Sequence, residues 1–318
     1  MKVSQHSQIL LRLIIISALL SPGVWGDTSG PVFLKDCDTC PELVQVGPGE
    51  FSMGSRDDEV IGPGYPPARI EQEKPVHLVR INAPFAIGRY EITIGQFAEF
   101  AEDTGFQAAG CFVLTGDRWV MNAAASWREP GFAVTDASPA TCLSYDDFAA
   151  YLAWLSARTG ATYRFPTEAE WEFVARTGLG GRPAPDSLGP SACQYLNGSD
   201  STFTKVFTAQ WKPGLFPCDD GVAAAAAVGR FPANDLGMYD VFGNMSEYTA
   251  DCAGASYEGG PVDGSPRVLE PCAARVLRGG SWAGGPGYLR PATRGSFPVT
   301  LRGDGHGLRV VRELAKGP

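Results

Sequence analysis

Three stretches of the chain combine an N-terminal capping signal with apolar residues at helical spacing. Each begins with a hydroxyl residue, Thr93, Ser144 or Thr167, followed three positions later by Gln, Asp or Glu. Such a pair can exchange hydrogen bonds across the first turn of a helix. Apolar residues then recur every three or four positions, as on a buried helical face. The pattern predicts three core-facing helices that stop at glycines, because glycine is favoured just past a helix end: Gly105, Gly160 and Gly178.

Strand patterns are fewer and shorter. Residues 42–54 read ELVQVGPGEFSMG, which predicts two strands across a Gly-Pro-Gly turn, and residues 76–81 read VHLVRI, which predicts a half-buried strand. From residue 180 onward helical periodicity is almost absent. Within this part, the five alanines at 223–227 are predicted to form a buried or bland strand. The rest is expected to be long irregular loops, tied down by disulfides or metal ions.

The N-terminus has the pattern of an export signal. Lys2 and Arg12 supply positive charge, residues 13–20 read LIIISALL, and Gly26 is a small residue before a cleavage point at Asp27. An apolar stretch this short cannot span a bilayer, which takes about 20 residues. We therefore predict a periplasmic or secreted protein without a membrane span after cleavage, arranged as a signal peptide (1–26), an N-terminal extension (27–42), a single folded domain (43–312) and a C-terminal tail (313–318).

Composition excludes some functions. A hydrophobic content of 44% is typical of a globular chain. Loss of Lys2 and Arg12 with the signal peptide takes the formal net charge from −9 to −11. Nucleic-acid binding is not expected, because it needs a basic surface.

The cysteines point to disulfides. All eight lie beyond the signal peptide, and an even number in an exported chain favours disulfides over thiolate chemistry. As a working hypothesis each cysteine pairs with its sequence neighbour. A redox role for the first pair is the alternative, but no βαβ pattern surrounds it. The hypothesis joins 37 with 40, 111 with 142, 193 with 218, and 252 with 272.

Few residues offer catalytic chemistry. His77 and His306 are the histidines that remain after signal cleavage, and a zinc or two-histidine iron site would need both to converge. We interpret both as structural. The segment around Ser281 reads GGSWA, which is not a nucleophile elbow, because Ala283 stands where that motif has glycine.

Acidic residues beside glycines offer oxygen ligands. Asp240, Asn244 and Glu247 lie within eight residues, and Asp219 and Asp220 precede another glycine. Calcium binds carboxylate, amide and carbonyl oxygens in flexible loops. On spacing alone, solvated acidic turns are the simpler interpretation.

Six segments together resemble the formylglycine-generating enzyme, or sulfatase-modifying factor, family. In order they are EFSMGS (50–55), RYEITIGQFAEF (89–100), residues 143–178 with RFPTEAEWE, DLGMYDVFGNMSEY (235–248), VLRGGSW (276–282) and GHGLRVVR (305–312). The resemblance covers residues 43–312. It implies a single α+β domain with little regular secondary structure and a modified C-type-lectin-like fold.

The resemblance also implies structural calcium at two positions. The first would use Asn197, the carbonyl of Gly198, Asp220 and the carbonyl of Val222, with Glu91 nearby. The second would use these groups: Asp240, the carbonyls of Gly243 and Met245, and Glu247.

Activity follows less directly from the resemblance. Members that make formylglycine oxidise a peptide cysteine with dioxygen, using copper(I) between two cysteines shortly after the GGS segment. Here the first position falls on Gly284, and no cysteine follows Cys272. Because copper(I) selects soft thiolate ligands, no copper is expected. The resemblance implies groove residues near Ser281, and the candidates are Ser281, Trp282, Tyr288, Arg290 and Arg294.

Three functions follow from this comparison. The first is a non-copper homologue in oxidative tailoring or maturation of a peptide or protein substrate, as in the family's pyoverdine-maturation branch. The second is a non-enzymatic, calcium-stabilised module that binds a peptide, protein or small molecule. A copper-dependent oxidase is the third. A purely structural role for the arginines, Ser281 and Trp282 is the remaining alternative.

Overall fold

The computed structural model describes residues 30–59, 61–208 and 214–315. From Pro31 onward they form one compact unit. The helices are α1 (Pro67–Ile70), α2 (Ile94–Thr104), α3 (Tyr145–Thr159), α4 (Glu168–Gly178) and α5 (Phe203–Val206). The strands are β1 (Phe33–Leu34), β2 (Leu43–Val46), β3 (Gly49–Met53), β4 (His77–Ile81), β5 (Phe85–Gly88), β6 (Cys111–Thr115), β7 (Arg118–Asn122), β8 (Tyr163–Arg164), β9 (Ser246–Cys252), β10 (Ala274–Arg278), β11 (Gly295–Pro298), β12 (His306–Gly307) and β13 (Val311–Glu313).

The three predicted helices are confirmed as α2, α3 and α4. At each start, the hydroxyl of Thr93, Ser144 or Thr167 accepts a hydrogen bond from the third helical N–H, and the third side chain accepts one from the cap N–H. Gly105 and Gly160 end α2 and α3 with φ of +69° and +70°. That left-handed conformation costs glycine little, so these two helices stop where the sequence indicates.

The third helix ends at Gly178 as predicted, but Gly178 is not a left-handed cap. It is the last residue of α4, and Leu179 is the cap. A Cβ atom at Gly178 would lie 2.1 Å from the Asn234 side chain. Glycine is therefore needed here for the close approach of a loop rather than for a left-handed turn.

The strands form two principal sheets. One is antiparallel with the order β1-β2-β5-β13-β8, and the other has the order β11-β10-β9-β12, in which β12 runs parallel to β9. Two further pairs, β3 with β4 and β6 with β7, are antiparallel. The two strands predicted in residues 42–54 are present, but β2 pairs with β5 while β3 pairs with β4. The Gly-Pro-Gly segment therefore carries the chain from one sheet to another.

The predicted strand at 223–227 is wrong. This segment has no regular secondary structure. Its backbone groups bond to two buried asparagine side chains instead: Asn197 Nδ2 donates to the Ala224 carbonyl (2.8 Å), and Ala226 N–H donates to Asn244 Oδ1 (2.8 Å). Side chains thus satisfy hydrogen bonds that a neighbouring strand would otherwise satisfy.

Disulfides hold the loops, and the hypothesis of neighbour pairing is confirmed. The bonds join Cys37 to Cys40, Cys111 to Cys142, Cys193 to Cys218, and Cys252 to Cys272. In the described ranges no cysteine is free.

The ends of the described chain join the five-stranded sheet. Strand β1, from the stretch predicted as an N-terminal extension, pairs with β2, and β13 continues to Glu313. The predicted signal peptide, residues 1–26, lies outside the described residues. Across the helices that the structure describes, none is long and apolar enough to cross a membrane.

Candidate functional site

A cavity of about 700 Å³ lies beside the RGGSW segment. Its walls come from the loop after β10, from the edge strand β11, from the β6–β7 hairpin and from residues 301–306. Aromatic side chains form much of the wall, and polar groups lie among them. The aromatic residues are Phe112, Trp119, Tyr288 and Phe297, and the polar ones include Ser281, Arg294, Asp304 and His306.

Glycines allow the chain to pass tightly behind this cavity. A Cβ atom at either Gly280 or Gly284 would lie 2.7 Å from the buried Leu289 side chain. Gly280 also has φ of +71°. The space next to residue 284 is therefore filled by leucine.

Three of the five predicted groove residues line the cavity, and two do not. Ser281, Tyr288 and Arg294 line the cavity. Trp282 is buried in a cluster of aromatic rings, with its own ring 5.2 Å from that of Phe207. Arg290 does not line the cavity.

Two of the candidate arginines are buried in ion pairs. Arg290 Nη2 lies 2.9 Å from Glu73 Oε1, and Arg294 Nε lies 2.6 Å from Glu168 Oε1. Arg278, the first residue of RGGSW, also bonds to Glu168, at 3.1 Å. Burial opposes ionisation of Glu168, but the charges of Arg294 and Arg278 outweigh it, so the pKa of Glu168 is lowered. The guanidiniums of Arg278 and Arg294 join the cavity segment to the start of α4.

Asp304 and His306 line the same cavity, and the sequence did not single them out as catalytic. Asp304 Oδ2 accepts from Leu114 N–H (2.7 Å) and Oδ1 accepts from Trp119 Nε1 (2.9 Å). Burial raises the pKa of Asp304 to about 6 and lowers the pKa of His306 to about 4. Because Asp304 does not bond to the imidazole, these residues and Ser281 do not form a Ser-His-Asp triad. The sequence feature that could have pointed to Asp304 and His306 is their position between glycines in RGDGHG (302–307).

At the first predicted calcium position, an amide oxygen and a carboxylate are suitable ligands for a hard cation. Asn197 Oδ1 is buried without a hydrogen-bond partner in the described chain. Asp220 accepts from the N–H groups of Gly198 (3.1 Å) and Val222 (2.7 Å), so the four predicted residues share one loop region. Burial raises the pKa of Asp220 to about 6. A cation would satisfy the free amide oxygen and the desolvated carboxylate.

The second predicted position has an excess of buried negative charge. Asp240 Oδ1 is buried without a partner in the described chain, and burial raises the pKa of Asp240 to about 6. Glu247 lies 2.6 Å from Arg309 and accepts from Trp171 Nε1 at 2.7 Å. Glu91 belongs with this group: burial and then Asp240 raise its pKa well above the usual value.

The side chains around the two predicted calcium positions limit which groups could be ligands of a metal ion. Glu91 accepts from Asn244 Nδ2 and Met245 N–H, each at 3.1 Å, so it lies beside the second position. Over the described ranges, no three His, Cys, Asp or Glu side chains are grouped as metal ligands. Amide and backbone carbonyl oxygens, including that of Gly243, would have to complete either site, as calcium permits.

A model of the sulfatase-modifying factor enzyme 1-like domain matches residues 30–314. The chain belongs to this family. It is 33% identical over 267 residues to the formylglycine-generating enzyme of Streptomyces coelicolor, covering 75% of this chain and 78% of that protein. It is 30% identical over 272 residues to the inactive C-alpha-formylglycine-generating enzyme 2 of Bos taurus, covering 76% of each.

A solved structure shows the same fold. The structure of PvdO from Pseudomonas aeruginosa superposes with a TM-score of 0.74 at 34% identity, covering 90% of this chain and 99% of PvdO. This sulfatase-modifying-factor protein is thus a single α+β domain with little regular secondary structure. Its relatives include proteins named as formylglycine-generating enzymes and proteins named as inactive ones, so the family does not decide the activity.

Proposed function

We propose that this family member is a copper-free homologue that acts in oxidative tailoring or maturation of a peptide or protein substrate. The observation that carries the proposal is a substrate-sized cavity without a thiol. In the described residues all cysteines are in disulfides, and none follows Cys272 in the sequence. Copper(I) binding at Gly284 would need soft ligands that the chain does not supply there.

The cavity supports a substrate-binding role. Its volume of about 700 Å³ lies in the range of ligand pockets, which also combine apolar walls with a few polar groups. Leu289 fills the space next to Gly284, so a metal ligand at that position would first have to displace a buried side chain. The four disulfides favour action in an oxidising compartment, in the periplasm or outside the cell.

Oxygen uptake by residues 27–318, stripped of copper and checked by mass spectrometry, tests the proposal. We expect no oxidation of a cysteine-containing sulfatase peptide and measurable uptake with peptides that carry phenolic or catecholic groups. Ser281→Ala should lower this uptake, whereas Ser265→Ala, at a position outside the cavity lining, should not. Copper-dependent conversion of the cysteine peptide would overturn the copper-free assignment.

A non-enzymatic binding module is the second candidate. Its specific support is the pairing of Arg278, Arg290 and Arg294 with buried glutamates, which leaves these cations unavailable for charge stabilisation. A peptide that saturates the cavity without oxygen uptake or product would favour this candidate over tailoring.

We also propose that calcium stabilises the two groups of oxygen donors. The supporting observations are the unpartnered oxygens of Asn197 and Asp240. Calcium at 100 times its Kd would add about 2.7 kcal/mol to the free energy of unfolding, because it binds the folded state alone. Calorimetry with calcium and with chelator should show this difference, and Asn197→Ala should reduce it while Asn82→Ala does not. Absence of bound calcium and of any shift would refute the proposal.

A further inference from the structure

Ser281 and His306 are among the uncharged polar side chains that line the cavity. Neither Ser281 Oγ nor the His306 imidazole makes a side-chain hydrogen bond within the part of the chain that the structure describes. His306 Nδ1 is enclosed, and a Cβ atom at Gly303 would lie 2.7 Å from it. Nε2 is therefore the ring nitrogen through which His306 can bind a ligand.

Packing holds both groups in place. The His306 ring is edge-on to Phe297, with centroids 4.1 Å apart. Strand pairing sets His306 opposite Ser246. A Cβ atom at Gly305 would lie 3.2 Å from Ser281 Oγ, so the glycine lets the chain pass close to the serine. Two groups held in place on the wall of one cavity can select a ligand by geometry.

Two of the charged groups that line the cavity, Arg294 and Asp304, already have partners within the chain. Arg294 is paired with Glu168 at 2.6 Å. Asp304 accepts hydrogen bonds from Leu114 N–H and from Trp119 Nε1. An additional buried charge would be unfavourable without a partner. The ligand group that enters here is therefore expected to be uncharged.

We propose that His306 and Ser281 are specificity-determining residues that bind an uncharged hydroxyl group on an apolar side chain of the substrate. A hydroxyl can accept a hydrogen bond from the imidazole N–H and donate one to the serine oxygen. A thiol is a weak donor and a weak acceptor, so it satisfies the pair less well. Phe112, Tyr288 and Phe297 supply the apolar wall. This inference rests on the proposed function, since it names the substrate group that enters the same cavity.

Two probes that differ by one hydroxyl test the inference. N-acetyl-tyrosine amide and N-acetyl-phenylalanine amide are titrated against residues 27–318 labelled with ¹³C-histidine. His77 and His306 are the two histidines in that range, and His77, which is not a lining residue, provides the reference signal. We expect the tyrosine probe to bind about tenfold more tightly, as two added hydrogen bonds of ordinary strength provide. It should shift the His306 resonance and not that of His77.

Variants assign the preference to the two residues. His306→Phe and Ser281→Ala should each reduce the tenfold preference to about threefold or less, because each removes one bond. The control His77→Phe should retain it. Melting temperatures identify any variant that fails to fold, and Ser281→Ala, the smaller change, then carries the test.

Three results would contradict the inference. Equal affinity for the two probes, retention of the preference in the folded variants, or no binding of either probe at millimolar concentration would overturn the inference. Because the assay measures binding without turnover, its failure is distinguishable from failure of the copper-free proposal, which oxygen uptake decides.

Discussion

Replacement of Arg278 by methionine should lower the free energy of unfolding by about 3–5 kcal/mol, because it leaves buried hydrogen-bond acceptors without their donor. The Arg278 side chain is fully buried. It donates to Glu168, Glu172 and the Tyr257 hydroxyl. It also donates to the backbone carbonyls at positions 291 and 292.

The size of the expected loss of stability follows from which contacts remain after Arg278 is replaced. After the substitution Glu168 keeps Arg294, and Glu172 keeps Arg176 at 2.8 Å, so neither carboxylate is left without a cation. The two carbonyls lose their donor, and each buried unsatisfied group costs about 1–3 kcal/mol. Methionine replaces much of the lost volume, which limits the cavity contribution. The two carbonyls therefore account for most of the expected loss.

Urea unfolding of residues 27–318 measures the effect, and an exposed pair provides the control. Arg80 and Glu50 lie 3.2 Å apart with their side chains more than half exposed, and surface pairs contribute about 0–1 kcal/mol. Arg80→Met should therefore change the unfolding midpoint little. If Arg278→Met and Arg80→Met lost equal stability, the structural role assigned to the buried arginine would be refuted.

Three further predictions concern stability. Burial, followed by the charge of Glu168, raises the pKa of Asp251 to about 7. The stabilising effect of the protonated carboxyl group is therefore complete below about pH 4 and is lost as pH rises through 7. The wild-type protein should lose stability from pH 5 to 8 relative to Asp251→Asn, and parallel curves of stability against pH for the two proteins would contradict this. Thr93→Ala should cost about 1 kcal/mol by chemical unfolding, since it removes a helix cap, and an unchanged midpoint would exclude that role. Loss of the Cys111–Cys142 bond in a double serine variant should cost about 2–4 kcal/mol, and a melting temperature equal to wild type would show that the bond does not stabilise the fold.

The helices were predictable because their signals are local. Thr93 and Gln96 form both hydrogen bonds of the first cap within four residues of sequence. The sheets were not, because β2 and β3 are neighbours in sequence but belong to different sheets, in which β2 pairs with β5 and β3 with β4. Gly178 illustrates the same limit, since its role depends on Asn234, 56 positions later.

The candidate site was predictable in its location but not in its composition. The glycines near Ser281 indicated close approach of the backbone, and the cavity lies there. The roles of the arginines depend on glutamates more than one hundred residues away, as with Arg278 and Glu168. His306 is placed beside Ser246, another residue that lines the cavity, by the parallel pairing of β12 with β9, which no local pattern specifies.

Copper(I) affinity tests the copper-free assignment most directly. Anaerobic competition with a chromophoric chelator gives the affinity of residues 27–318, and mass spectrometry of a cysteine-containing sulfatase peptide detects formylglycine. We expect no stoichiometric copper(I) binding, no conversion of the peptide, and no gain of either in Gly284→Cys, because one thiolate cannot form a two-cysteine site. Tight binding of one copper(I) per chain together with formylglycine formation by the unaltered protein would contradict the assignment.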